Sequence, residues 1–375
     1  MKKYLSAFVF TLLCFVQVLA VFPARAQLLD DPATIKQVQE AIDHIYSYEF
    51  EEAQVASQQV RAKYPNHPVT HLLRAFQMYW QYLPIQDNKA KSAEYIRTLN
   101  QCLAAVEKQY GKDSKNPEAV FFTLAARGYM AVMYNYQREF LKAVGEAQKA
   151  YNALTTSLKL TEKNPEFYFT TGMYNYYVVT YPEDNPIVKP VMIFFKNGDK
   201  ALGLKQIDIA TQRGVITRAE ACSYLAHIYL EHESQPQRAL VYTRKLAGWY
   251  PQNPIYKMMH TEALLLSGRY AEAEKELPAL RKRTDGFYPI AWRTFQGILY
   301  EKDDRNDALA QREYLAALQV PHDEQYTREY HAMAYAGLAR IAHRAGNKAQ
   351  AKAYYKKCLE KAEYKILIKE AKAYK

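Results

Sequence analysis

Tyr174, Tyr177 and Tyr181 are spaced three and four residues apart, which places them on one face of a helix. Phenol rings in such a row offer flat apolar surfaces and hydroxyls that donate and accept hydrogen bonds, the means by which a groove holds a peptide or a sugar. They belong to an unusually aromatic stretch, with seven aromatics in the fifteen residues from Phe167 to Tyr181. Rings on every side of a helix predict that it is largely enclosed. Pro182, Pro186 and Pro190 predict an extended loop after it, carrying Glu183, Asp184 and Lys189, and Lys189 is the cation expected beside the three tyrosines. The plainer alternative is that these rings fill a widened core.

Other chemistries find less support. His67 and His71 share a helical spacing, but Pro68 lies between them and no acid completes a ligand set. His227 and His232, five apart, are expected to splay around a helix. The sequence holds no H-E-x-x-H, phosphate loop, G-x-G-x-x-G, G-x-S-x-G or paired C-x-x-C motif, so neither an enzyme, a metal nor a cofactor is expected.

The elements that would position these residues are helices. From about residue 30 to the end, apolar residues recur every three or four positions and no alternating run stands out. An aromatic residue followed three positions later by Ala recurs as Phe50 to Ala53, Phe140 to Ala143 and Tyr270 to Ala273, with looser copies ending at Ala239, Ala308 and Ala351. Ala239, Ala273 and Ala308 are 34 and 35 residues apart, a helix-pair repeat period. Small residues at those points let paired helices approach closely. Pro65, Pro251 and Pro321 follow as helix stops, and Thr217 with Glu220 has the pattern of a capping box.

With these features the chain resembles the tetratricopeptide repeat superfamily, over about residues 34–67 and 217–365. The resemblance implies an all-α fold, a right-handed superhelical solenoid of antiparallel helix pairs, with binding grooves lined by the first helix of each pair. Residues 167–204 also resemble the central part of a divergent tetratricopeptide family whose eukaryotic members act at the mitochondrial outer membrane in clearing inclusions. The matching features are Gly172, Pro182, Gly198-Asp199 and Gly203-Leu204, and no catalytic residue comes with them.

Composition sets the outer limits. The 375 residues are 49% hydrophobic and 24% charged, a balance that excludes disorder as the main state. Lys2 and Lys3, an apolar run from Tyr4 to Phe22, and Ala24-Arg25-Ala26 read as a signal peptide cut before Gln27. Cys14 lies between large apolar neighbours, where a lipidation site needs small residues. Export to the periplasm or another envelope location is therefore expected, and nucleic acid is disfavoured as a partner. Cys102, Cys222 and Cys358 are isolated in helical stretches and read as buried free thiols.

The formal net charge of +11 is unevenly spread. From Arg340 to Lys375, two arginines and nine lysines face Glu360, Glu363 and Glu370, leaving +8. The lysines recur mostly every fourth position, predicting one face of a long last helix. That face is either a solvated terminal cap or a surface for an anionic membrane.

The expected organisation is a signal peptide over 1–26, degenerate repeats over 27–216 with an aromatic and Pro-rich insertion at 164–199, and clearer repeats over 217–375 ending in a basic capping helix. The expected function is non-enzymatic: a scaffold or adaptor of the cell envelope that binds a protein or peptide. The alternative is a carbohydrate or small-ligand receptor using the aromatic cluster at 167–181.

Overall fold

The computed structural model describes residues 28–193, 195–321 and 324–374, so the expected signal peptide lies outside the described residues. Among these the protein is all-helical, with no strand. In chain order the helices are α1 (Pro32–Tyr46), α2 (Phe50–Lys63), α3 (Pro68–Gln81), α4 (Lys89–Tyr110), α5 (Pro117–Tyr136) and α6 (Phe140–Leu160). The middle of the chain forms α7 (Phe167–Asp184), α8 (Lys200–Arg213), α9 (Arg218–Glu231), α10 (Pro236–Trp249), α11 (Pro254–Leu266) and α12 (Tyr270–Arg281). The last five are α13 (Tyr288–Lys302), α14 (Asp307–Leu318), α15 (Glu324–Arg344), α16 (Lys348–Lys361) and α17 (Lys365–Ala373).

Local chemistry sets most of the boundaries. Pro opens α1, α3, α5, α10 and α11, where its missing N–H costs nothing and its fixed φ suits the first turn. Side chains of Asp31, Asn88, Asn116, Asp199, Asn253, Asn306 and Asn347 accept from first-turn amides of the helices that follow them, satisfying donors that the helix itself leaves orphaned. The helices before Pro65 and Pro251 end at Lys63 and Trp249.

Consecutive helices pack as pairs, and the first helix of a pair also touches the first helix of the next, as α1 does α3, α3 does α5, α9 does α11, α11 does α13, α13 does α15 and α15 does α17. Ala53, Ala239, Ala273 and Ala351 are fully buried at the pair contacts, as their spacing suggests. Ala308 is exposed, and the buried stripe of α14 starts at Ala310 and continues through Tyr314 and Ala317. The loop before α14 holds Asp303, Asp304, Arg305 and Asn306, and Asn306 caps the helix, so its buried stripe starts later than the 35-residue interval implies.

Three further expectations are corrected. Pro182 does not open a loop: it lies inside α7, which runs on to Asp184. Thr217 and Glu220 do not form a capping box. Thr217 has helical rather than extended backbone angles (φ −92°, ψ −2°) and no side-chain cap bond. Glu166 from the start of α7 takes the role, accepting from the amides of Val215, Ile216 and Thr217 at 2.7, 3.2 and 3.0 Å and from the Thr217 hydroxyl at 2.9 Å. The carboxyl end is two helices, not one. The break at residues 362–364 shifts the buried stripe of α17 to Leu367 and Ala371 and leaves Ile366 partly exposed.

Glu329 repeats the Glu166 device there, accepting from the amides of Glu363 at 2.7 Å and Tyr364 at 3.1 Å. Arg340 donates to Glu301 twice at 2.8 Å and to Glu370 at 2.9 Å, and Arg344 donates to Asp307 at 2.6 and 2.9 Å. The two arginines of the basic end are thus internal ties, and its exposed charge rests on lysines.

α7 and α8 cross with almost no separation. A Cβ on Gly203 would stand 2.7 Å from the Tyr176 amide nitrogen and 2.8 Å from the Gly172 carbonyl oxygen. Only glycine on both helices permits that approach, which explains why these two residues stand out in the sequence. Cys102, Cys222 and Cys358 are buried and free, and desolvation raises the thiols of Cys222 and Cys358 to about 12.

Candidate functional site

The aromatic helix α7 is largely enclosed, as expected: one face is buried, the other is half-buried, and no residue from Phe167 to Pro182 is exposed. Phe167 and Tyr176 are fully buried, while Tyr168, Phe169, Tyr174, Tyr177 and Tyr181 keep part of their surface. The face away from α8 carries the three tyrosines expected to line a groove, and their contacts differ.

Tyr174 donates to the Lys196 carbonyl at 2.6 Å, and the Lys196 amide donates to the Tyr151 hydroxyl at 3.2 Å. Burial, reinforced by Tyr151, raises the Tyr174 phenol to about 12. Its role is to strap the connection before α8 onto α6 and α7. Tyr181 donates to Asn135 Oδ1 of α5 at 3.1 Å. Tyr177 packs edge-on against Tyr176 at 5.1 Å and His232 at 6.0 Å. Lys189 stands exposed at the start of the four-residue helix Lys189–Met192. Of the predicted quartet, the hydroxyls of Tyr174 and Tyr181 brace the fold, and Tyr177 points the way to a larger cluster.

That cluster is one the linear sequence hides. His227 and Glu231 sit one turn apart on α9, and His232 forms its C-cap. The two imidazoles do not splay. Glu231 is four residues beyond His227 and adjacent to His232, so its carboxylate reaches both: one oxygen bonds His227 Nε2 and the other lies 3.8 Å from His232 Nε2. The imidazole rings meet edge-on at 6.2 Å. Desolvation lowers the His227 pKa, but Glu231, with Glu363 and Glu262 behind it, outweighs that and lifts it to about 9. Burial pushes Glu231 up, and His227 and His232 more than offset this, holding it at about 2.

Distant helices supply the rest of this surface. Burial raises the Tyr136 phenol of α5, and Glu220, Glu231 and Glu363 raise it further, while Tyr79 hydrogen-bonds it. Tyr224 on α9 is driven up by burial and then by Glu220, Tyr136 and Tyr177. Lys365 acts on Glu231 and Glu233. Thus α5, α7, α9 and the start of α17 present phenols, carboxylates and imidazoles to a common region. No sequence motif signals this, because the residues come from positions 79 to 365. The one local clue is His227-Ile228-Tyr229-Leu230-Glu231-His232, whose i to i+4 spacing brings His and Glu together.

Glu262 and Glu329 lie deeper. Desolvation raises Glu262 to about 7 and Glu329 to about 8. Both carboxyls are nearly inaccessible, at 3% and 8% exposure, so neither can meet a substrate as general acid or base. His67 is likewise structural: Nδ1 accepts from the Val69 amide at 3.2 Å, and Nε2 faces Tyr110 at 2.9 Å and Glu118 at 3.2 Å, not His71. No family model and no curated protein matches this chain.

Proposed function

We propose that this protein is a tetratricopeptide-like right-handed solenoid that binds a protein or peptide as a non-enzymatic scaffold or adaptor, exported through its amino-terminal signal sequence to the cell envelope. The observation that carries the reading is the cluster of half-buried Tyr136, Tyr177, Tyr224, Glu231 and His232, which three helices bring near one another. Aromatic anchors ringed by charged neighbours are the composition of protein-binding hot spots. The chain of contacts between first helices of successive pairs also supports it, since that layer is the one such solenoids use for binding.

A carbohydrate or small-ligand receptor is the second reading. It is weakened by Tyr174 and Tyr181, whose hydroxyls already serve Lys196 and Asn135. The exposed lysines of α16 and α17 add peripheral contact with an anionic membrane to the proposal.

The test is site-specific photo-crosslinking from position 177 in intact envelopes. A discrete adduct is expected, and it should vanish in a folded Tyr177→Ala/Tyr181→Ala variant probed from neighbouring Val178. The reading fails if the same adducts persist in that variant, or if only glycan binding is lost.

A further inference from the structure

We propose that His227, Glu231 and His232 form a binding site for a divalent transition-metal ion of the zinc class. Their ligand atoms all lie within 4.8 Å of one another. Two imidazole nitrogens and a carboxylate oxygen are the donor set that Zn²⁺ takes when three protein ligands leave a fourth position open. The i to i+4 pair on α9 is the standard way for a helix to present two ligands from one face.

Metal would take the place of the hydrogen bond between His227 and Glu231, moving that oxygen and nitrogen apart to accommodate bonds of about 2.0–2.2 Å to the ion. His232 needs the smaller adjustment. Its ring packs beside Tyr176 at 6.2 Å and Tyr177 at 6.0 Å, which restricts its rotation. The His227 side chain is 49% exposed while Glu231 and His232 are 18% and 11% exposed, so an ion enters from solvent on the His227 side and is backed by protein on the other.

The surrounding field is mixed. Glu363 and Glu262 act on His227 in addition to Glu231, and Lys365 is the opposing charge. Neighbouring Glu233 is occupied elsewhere, accepting from Tyr176 at 2.5 Å and pairing with Lys200 at 2.8 Å. With three protein ligands, the fourth position is left for water or a side chain of a bound partner. This inference stands whether or not the scaffold reading does.

The probe is untagged full-length protein stripped with chelator and titrated with ZnCl₂ by calorimetry and with Co²⁺ by absorption. One equivalent of each is expected, with the intense visible bands of four-coordinate cobalt. His227→Gln and Glu231→Gln should each weaken Zn²⁺ by more than about 100-fold, beyond the roughly 10–100-fold effect of outer-layer changes. Lys365→Gln, which leaves every ligand in place, should tighten it. Absence of saturable uptake by the wild-type protein overturns the proposal, as does unchanged affinity in a Glu231→Gln variant whose helical circular dichroism is intact.

Discussion

Tyr46, the last residue of α1, donates its phenol to Glu220 Oε1 on α9 at 2.6 Å, across 174 residues of chain. The bond is one of several that dock the amino-terminal helices on the middle of the protein. Asp43 accepts from the Tyr250 hydroxyl at 2.6 Å and from Arg218 at 3.1 and 3.2 Å. Asn253 donates to the Tyr46 carbonyl at 2.8 Å while its Oδ1 caps α11. Tyr46, Trp80, Tyr250 and Tyr256 pack with centroids 5.2–5.8 Å apart. A simple stack of repeats touches only its neighbours; this chain curls until its first helices meet its ninth to eleventh.

The closure makes the stability of the amino-terminal helices dependent on distant residues. Tyr46→Phe deprives Glu220 of a donor and should cost about 1–3 kcal/mol. Tyr46→Ala also empties a fully buried site and should cost about 3–5 kcal/mol. Urea unfolding read through tryptophan fluorescence reports this directly, because Trp80 lies in the cluster. An unaltered midpoint for Tyr46→Ala would show that the docking contributes nothing.

Capping from a neighbouring helix yields a second contrast. Glu166→Ala strips acceptors from three amides ahead of α9 and should cost about 2–3 kcal/mol. Thr217→Ala, which the sequence alone marks as the cap, should cost less than about 1 kcal/mol. Hydrogen exchange at residues 215–217 should rise in the first variant and change little in the second. Equal effects would restore the capping box.

Gly203→Ala should destabilise by about 1–3 kcal/mol, the usual penalty of overpacking, or force α7 from α8. The added methyl meets backbone atoms, which cannot rotate aside as a side-chain end would. Thermal unfolding measures the loss. Gly145→Ala, where a Cβ meets nothing within 4 Å, should instead be neutral or slightly stabilising.

These contrasts mark what a single sequence can and cannot reveal. Helices, their Pro and Asn starts, buried cysteines and most of the small pair-contact residues follow from local rules, since each depends on neighbours within one or two turns. Glu166, Glu329 and Tyr46 act on amides or carboxylates tens to hundreds of residues away, and nothing local distinguishes them from surface residues. The histidine pair fails for a subtler reason. Helical geometry sets His227 and His232 apart by angle, but Glu231 between them gathers both rings.

Stability should fall as pH rises through neutrality. Burial, with Glu262 and Glu363 as like charges, raises Glu329 to about 8, although the Glu363 and Tyr364 amides favour its ionised form. Tyr330, Tyr364 and Cys358 complete its titratable surroundings. A carboxyl whose folded pKa exceeds its unfolded value is favoured in its protonated form, so its contribution is full below about pH 4.5 and lost as pH climbs toward about 8. Glu329→Gln should flatten the fall between those limits in a series of denaturation midpoints. A slope identical to wild type would assign the dependence to other groups.

Membrane contact through the carboxyl end is best tested without truncation. Cutting after Leu359 would remove Tyr364, Leu367 and Ala371, all buried, and Glu370, which holds Arg340, so lost binding would be confounded with lost packing. Lys352, Lys356 and Lys369 are exposed and can be changed to Gln with the fold intact. At about 1 kcal/mol per lysine near an anionic surface, the triple variant should bind phosphatidylglycerol vesicles on the order of 100-fold less tightly. Rising salt should weaken the wild type in the same direction, because exposed charges are screened within about 10 Å at 0.1 M. Equal co-sedimentation of wild type and variant in low salt would assign the stripe to solvation of the terminal helices alone.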